Sequence, residues 1–525
     1  MPVPPSFRRV LGRPVPLALC ASMLAVSAAG AALPTHAAPA VKAALPALTS
    51  GGSAIAAPPA APAAAAARGS GVTALPIPAA AGRHAAASTV APSDRLTGRL
   101  VGYVKRPVVS KFSLVAVTWD STTSAESESV IAQLRTRTDG TWSSWTELVP
   151  DTDGPSAAED GSVRAGTAPF WVTRATGVEV AVYTSGGKSP TGLEVATISP
   201  RSDRGWRAPS ASRALTSSKL GPRAGTFPRI PKIVTRAQWG ADESLGDGCW
   251  DPRYGTRFDA AIVHHTAGSN DYSRRQAASI VRGVLAYHTV SRGWCDIGYN
   301  FLIDRYGTVY EGRAGGIRKA VRGAHSGDYN VNTTGISVMG NFDLVGPRRA
   351  MKHSLVQLIA WRLGAAYHGA YGKPFIFDGR FSRISGHRDV MQTACPGRHV
   401  YSWLPTLRER VSLRLGDYRS KIERAWRKGG AKRGDLGAVR IGERGEDGGR
   451  HTTFARGRMY SSSGGVHTLW RGPILTRYVS TGETGGKLGY PTSEQRAVDG
   501  GVRVGFEHGT ITYDRSTGKT IVKLR

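Results

Sequence analysis

The chain has 525 residues, with 69 Lys and Arg against 38 Asp and Glu, a formal net charge of +31 and 40% apolar residues. So much apolar material excludes a wholly disordered chain, and four cysteines exclude a disulfide-built miniprotein. At roughly 150 residues per domain the length predicts about three or four domains.

Arg8, Arg9 and Arg13 precede the apolar stretch Leu17 to Ala32 and a small-residue site around Thr35-His36-Ala37-Ala38. That is the pattern of a signal peptide, expected over residues 1–37. Beyond it, no apolar run reaches the roughly 18 residues a transmembrane helix needs. Leu in the segment before Cys20 argues against lipid attachment, and Arg8-Arg9 matches a twin-arginine signal poorly. Cleavage leaves a charge of about +28 and three cysteines, Cys249, Cys295 and Cys395. In an oxidising compartment that count implies one pair and one thiol with another task.

Residues 38–95 are rich in Ala, Pro, Ser and Gly and read as a tether. From 98 to 200, Ser113–Trp119, Val130–Thr136 and Val178–Tyr183 are β-rich runs separated by turns such as Asp139-Gly140. They predict a small antiparallel β-sandwich. Trp142 and Trp145 read either as a sugar-stacking platform or, more commonly for such residues, as packing groups. A basic linker spans 201–229.

From 231 to 410, strands alternate with helical patterns: a strand at Asp259–His264, a helix over Arg275–Val290, a hairpin through Asp304-Arg-Tyr-Gly307, a strand at Gly335–Met339 and a helix over Leu355–Tyr367. That alternation predicts an α/β domain, a mixed sheet with packed helices. The last segment, 418–525, holds an internal repeat. Ile422, Trp426, Gly430, Gly434, Leu436, Gly437, Phe454 and Gly457 recur 52 residues later as Ile474, Tyr478, Gly482, Gly486, Leu488, Gly489, Phe506 and Gly509. Two copies imply a duplicated binding or anchoring module.

Three features of 231–410 carry chemistry. Ile262-Val-His-His-Thr266 puts adjacent histidines at a strand end, where one side chain reaches a site and its neighbour packs on the opposite face. His387 and Cys395 lie eight residues apart across a loop, and Tyr299 enters a strand. Imidazole and thiolate are preferred zinc ligands, and three protein ligands leave the fourth position for water. The bound water's pKa then falls to about 7. With Cys395 so used, Cys249 is left to pair with Cys295.

Residues 231 to about 410 resemble the peptidoglycan recognition protein and type 2 N-acetylmuramoyl-L-alanine amidase family. The resemblance runs through Thr235-Arg-Ala-Gln-Trp-Gly240, Ile262-Val-His-His-Thr266, Gly293-Trp-Cys-Asp-Ile-Gly-Tyr-Asn-Phe301 and Asp304-Arg-Tyr-Gly-Thr-Val-Tyr-Glu-Gly-Arg313. It continues through Gly323-Ala-His325, Met339-Gly-Asn-Phe342, Gly386-His-Arg-Asp389 and Thr393-Ala-Cys-Pro-Gly397. It implies zinc ligands His264, His387 and Cys395, a catalytic tyrosine at Tyr299 and a supporting Thr393. His325 falls in the segment that lines the family's groove and is expected to touch substrate. His288 is expected in the core of its helix; His265, His353 and His368 are expected to pack or lie on the surface. Ala314-Gly315 stands where the family often has Gly-Trp, a position linked to stem-peptide discrimination. Gly485-Gly-Lys-Leu-Gly-Tyr-Pro491 resembles the LGFP repeats of wall-associated proteins, and the first copy, Asp435-Leu-Gly-Ala-Val439, lacks the proline.

The resemblance implies a secreted amidase that cuts the bond between N-acetylmuramic acid and L-alanine of peptidoglycan. The rival reading is a noncatalytic protein that binds or organises the wall. The positive charge, with 12 Lys or Arg against 5 Asp or Glu over 419–458, points to anionic wall polymers. Nucleic acid is discounted, because the chain is expected to be exported and carries no nucleic-acid motif.

Overall fold

The computed structural model describes residues 71–80, 98–120, 130–156, 163–185, 189–200, 228–246, 251–416, 419–446 and 448–525. All lie in one compact unit, Ala61–Arg525. The expected signal peptide, most of the basic linker and Cys249 lie outside the described residues. Among the described residues no helix is long and apolar enough to cross a membrane.

The central domain is built on six strands: β1 (Ile233–Val234), β2 (Ala260–His265), β3 (Phe301–Ile303), β4 (Val309–Glu311), β5 (Thr333–Val338) and β6 (Ile384–Gly386). Their order is β1-β4-β3-β5-β2-β6. Only the β3–β4 hairpin is antiparallel; β3, β5, β2 and β6 run parallel. Three helices flank the sheet: α1 (Ala277–Ala286), α2 (Arg349–Ala365) and α3 (Leu404–Leu415). Strand alternation sends Ala261, Val263, Phe301, Ile303, Ile336 and Val338 to the face covered by α2 and α3. Leu302 and Tyr310 go to the face covered by α1. Both faces are therefore apolar, as a buried parallel sheet requires.

Helix limits differ from expectation. The first helix gives way to a π turn at Tyr287–Ser291, in which His288 is buried and accepts a hydrogen bond from the Gly298 N–H at 3.1 Å. The second helix begins at Arg349, not Leu355, because the buried Met351 extends the stripe of Leu355 and Leu358 back by one turn.

The preceding domain is a sandwich of two antiparallel sheets. One contains Val72–Pro76, Phe112–Asp120, Arg164–Gly166, Phe170–Ala175 and Glu194–Ile198; the other contains Arg99–Arg106, Val130–Thr138, Thr141–Trp142, Thr146–Leu148 and Gly177–Thr184. Val115, Val117 and Trp119 face its core. Leu114 and Ala116 point the other way and pack with Val281, Val284 and Leu285 of α1. A methyl at Gly283 would sit 3.0 Å from Leu114 Cδ1 and 3.2 Å from Pro200 Cγ, so glycine there permits the close approach. α1 is thus clamped between two sheets.

One strand lies inside the segment whose composition predicts a tether. Val72–Pro76 pairs with Glu194–Ile198, and Ile77 beyond it is 6% exposed. The segment is short and flanked by Ala/Pro tracts, so its two or three anchoring side chains were masked by composition. Trp142 and Trp145 are half-buried and bracket the Arg135 guanidinium at 5.3 and 5.0 Å. Arg135 in turn bonds the buried Glu179 at 2.8 Å.

The C-terminal copies share one design. Helices Lys421–Lys428 and Pro473–Ser480 each precede a four-stranded antiparallel sheet. Trp426 Nε1 donates to Gly437 O at 2.9 Å, and Tyr478 OH, 52 positions on, donates to Gly489 O at 2.7 Å. The degenerate first copy keeps the fold because this aromatic-to-glycine bond and Phe454 survive. It also meets the central domain, where Tyr367 OH donates to the buried Glu443 carboxylate at 2.6 Å.

Leu114 is fully buried between the sandwich and α1. Leu114→Ala is expected to cost about 2–5 kcal/mol, read as a lower urea midpoint by tryptophan fluorescence. An unchanged midpoint would show that the two layers are not packed as described.

Candidate active site

β2 and β6 are parallel neighbours, with Val263 opposite Gly386. His264 is the penultimate residue of β2, and His387 follows β6 at the start of the turn His387–Asp389. The register therefore delivers two imidazoles side by side, 4.4 Å between ring centroids, at the carboxyl ends of the strands, where open α/β sheets place their sites. Strand alternation separates the adjacent pair. His265 turns to the opposite face, near Phe342, and accepts a hydrogen bond from the Phe342 N–H at 3.2 Å. His368 bonds Phe258 O at 2.9 Å, and His353 is half-buried.

Cys395 returns on the loop after His387. The Arg388 N–H bonds Cys395 O at 3.0 Å, and Cys395 Sγ accepts from the His265 N–H at 3.3 Å and lies 3.7 Å from His264 Nδ1. Gly397 has φ +81°, and a Cβ there would meet the Phe342 carbonyl carbon at 2.5 Å, so only glycine lets this loop close down. Thr393 Oγ1 accepts from the Cys395 N–H at 3.2 Å and braces the same loop.

A fourth group completes the cluster. Asp153 belongs to the sandwich domain, yet its Oδ1 lies 3.0 Å from both His264 Nδ1 and His387 Nδ1. Its Oδ2 accepts a hydrogen bond from Tyr299 OH. Ligand atoms of Asp153, His264, His387 and Cys395 all fall within 4.8 Å of one another, and all four residues are buried. Neither ring nitrogen of His387 makes a hydrogen bond of normal geometry, which leaves its donors short of a partner. Two imidazoles, a thiol and a carboxylate pointed at one spot form a donor set that suits a divalent cation.

The electrostatics agree. Burial, opposed by the Asp153 charge, pulls His264 down to about 4, so the imidazole is neutral and its lone pair available at neutral pH. Burial pushes the Cys395 thiol well above its ordinary range; a cation at this spot reverses that preference. Burial and then the charges of Asp153 and Asp151 hold Tyr299 well above 10, so it stays protonated and keeps its hydrogen to donate.

His325 is wholly buried behind His264 rather than at a substrate surface. Its Nδ1 lies 3.1 Å from His264 Nε2 and 3.0 Å from Ser326 Oγ. Gly335 leaves space for the ring, since a Cβ there would touch His325 Cδ2 at 2.3 Å. Cys395 is free and Cys295 is disulfide-bonded. Asp153 was not foreseen: Pro150-Asp-Thr-Asp-Gly-Pro155 reads as an ordinary turn in another domain, 111 residues from His264.

Comparison with known proteins follows this division. Residues 254–398 match the N-acetylmuramoyl-L-alanine amidase family, 488–524 match the LGFP repeat, and 74–205 match a family described as Rv3811 N-terminal galactose-binding domain-like. Peptidoglycan-recognition protein SC1a/b of Drosophila simulans is 37% identical over 171 residues, 32% of this chain and 82% of that one. The chain belongs to the peptidoglycan recognition protein and amidase family. Peptidoglycan recognition protein 1 of Bos taurus is 38% identical over 170 residues, 32% of this chain and 80% of the relative. The solved structure of wild-type Drosophila PGRP-LB is 28% identical, covers 33% of this chain and 93% of that chain, and gives a TM-score of 0.27.

Partners behind a metal-ligating histidine fix its tautomer and typically matter about 10–100-fold in affinity. His325→Phe is therefore expected to weaken zinc retention in a chelator competition by about that factor; unchanged retention would make His325 a packing residue alone.

Proposed function

We propose that the chain is an exported, zinc-dependent N-acetylmuramoyl-L-alanine amidase, cleaving peptidoglycan between the lactyl group of N-acetylmuramic acid and L-alanine. The observation that carries this reading is the meeting of His264, His387 and Cys395 donors with Tyr299 at the ends of β2 and β6. Export rests on the N-terminal pattern around Arg8 and Ala37, and it suits a Cys249–Cys295 disulfide.

His264, His387 and Cys395 would hold zinc, which when bound polarises the scissile carbonyl and lowers the pKa of a bound water to about 7. Tyr299, kept protonated by burial, donates a hydrogen bond that orients the attacking water or the amide. Thr393 offers a hydroxyl proton to the carbonyl oxygen as negative charge grows there. His325 braces the His264 ring from behind, its Nδ1 3.1 Å from His264 Nε2. The products are a free lactyl carboxylate and a stem peptide with a free L-alanine amino group.

Attachment to the wall falls to the LGFP repeats. A cavity of about 360 Å³ where the first repeat meets the central domain is lined by Arg257, Lys373, Arg380, Arg383 and Lys432 against one carboxylate, Asp259, which pairs with Arg257; the net positive lining suits anionic wall polymers. The noncatalytic alternative draws support from Asp153, whose buried carboxylate crowds the three other donors.

Mass spectrometry of digested peptidoglycan should reveal newly freed L-alanine amino groups, abolished by chelator and by Cys395→Ala. Tyr299→Phe should slow release about a hundred-fold, as loss of a positioned proton donor does. Wall binding with no freed amino group, in both the wild type and Asp153→Ala, would favour the noncatalytic reading.

A further inference from the structure

The loop that carries Asp153 is bonded into the central domain rather than resting near it. Its root is held to its own domain by the Asp151 N–H to Gly166 O bond at 2.9 Å and the Ala168 N–H to Val149 O bond at 2.8 Å. Its tip is held by the central domain: Gly154 O accepts from the Gly327 N–H and from Asn330 Nδ2, each at 3.0 Å. Arg292, next to the π turn, fastens the base. It pairs with Asp151 Oδ2 at 2.8 Å, donates to Arg164 O at 2.6 Å, and both members of the pair are nearly inaccessible. Tyr287 OH adds a bond to Thr167 O at 2.7 Å. A buried, hydrogen-bonded charge pair is costly to break from one side, so this seating is specific.

The consequence lies at the metal donors. With the loop in place, His264 and His387 have no exposed surface and Cys395 is 7% exposed. A catalytic site needs one coordination position open to water and substrate, whereas four protein ligands make a closed, structural-type site. Asp153 also accepts the hydrogen bond of the Tyr299 hydroxyl that the reaction would use.

We propose that Asp153 is a fourth metal ligand, supplied in cis by the sandwich domain, and that it keeps the amidase site latent until the loop 151–156 withdraws. The inference rests on the metal-dependent amidase reading, and it names the regulation of that same site. The sandwich is then a gate as well as a module. Opening it exchanges one carboxylate oxygen for water or the substrate carbonyl, with no covalent bond made or broken.

The test uses the full chain loaded with Co²⁺, whose visible bands report coordination. In the wild type, millimolar azide should leave the bands unchanged, because no position is open. In Asp153→Ala, and in the isosteric Asp153→Asn, azide should shift them. The same variants should hold zinc more weakly yet free L-alanine amino groups about tenfold faster or more, since apparent activity scales with the open fraction. Weaker metal binding together with higher activity is an outcome that general damage to the fold does not produce. Arg292→Met, which loosens the loop without touching a donor atom, should give a partial version of both effects. Azide bands in the wild type matching those of Asp153→Ala would overturn the proposal, as would zinc retention unchanged by Asp153→Ala. If azide opens the variants alone but none of them frees amino groups, the ligand assignment stands and the amidase reading fails. If the wild type is azide-accessible and cuts the wall, the amidase reading stands and latency fails.

Discussion

The parallel pairing of β2 with β6 is the constraint on which the site depends. With Val263 opposite Gly386, the next residue of each strand is a histidine, and both imidazoles emerge at one edge of the sheet. A one-residue slip would send one of them to the opposite face. The register is secured from behind by Ala261, Val263, Ile384 and Ile336, which lock into the α2 and α3 layer. Cys395 then needs only a short return loop, closed by Gly397 against Phe342.

The second structural commitment is the packing of the sandwich on α1. Leu114, Ala116, Ala196 and Ile198 turn one sheet of the sandwich into a wall of the central domain's core. This is why Phe112–Asp120 is apolar on both faces, unlike a strand with one solvated side. A domain fixed this firmly can hold a loop tip to within hydrogen-bond distance of a site on its neighbour, which a domain on a slack tether cannot. The chemistry of the site and the architecture of the chain are therefore not separable: the same contacts that stabilise α1 decide what reaches His264 and His387.

Much of this was legible in the residues. The order of motifs from Ile262-Val-His-His-Thr266 to Thr393-Ala-Cys-Pro-Gly397 carried the central fold, and runs of β-formers between turn signals carried three of the four longest sandwich strands. The 52-residue repeat foretold a duplicated module, because its matches are the turn glycines and the core aromatics; the helix and four-stranded sheet of each copy come from the structure. Three things were not legible. The edge strand Val72–Pro76 gains its identity from a partner more than a hundred residues away. His325 sits behind His264 because Gly335 makes room there, and spacing alone says nothing of depth. Asp153 lay beyond reach for the same reason: a turn-forming Asp-Thr-Asp-Gly has no local signature for a metal or a groove. Local pattern reports local structure, and these three are decided by contacts between distant segments.

The account turns on whether two imidazoles and one thiolate share a single zinc ion. X-ray absorption at the zinc edge of the purified full chain reads that directly. It should find one equivalent of zinc with a first shell of two imidazole nitrogens, one sulfur and one oxygen. A shell without sulfur, a shell of sulfur alone, or a chain that retains no zinc would contradict it.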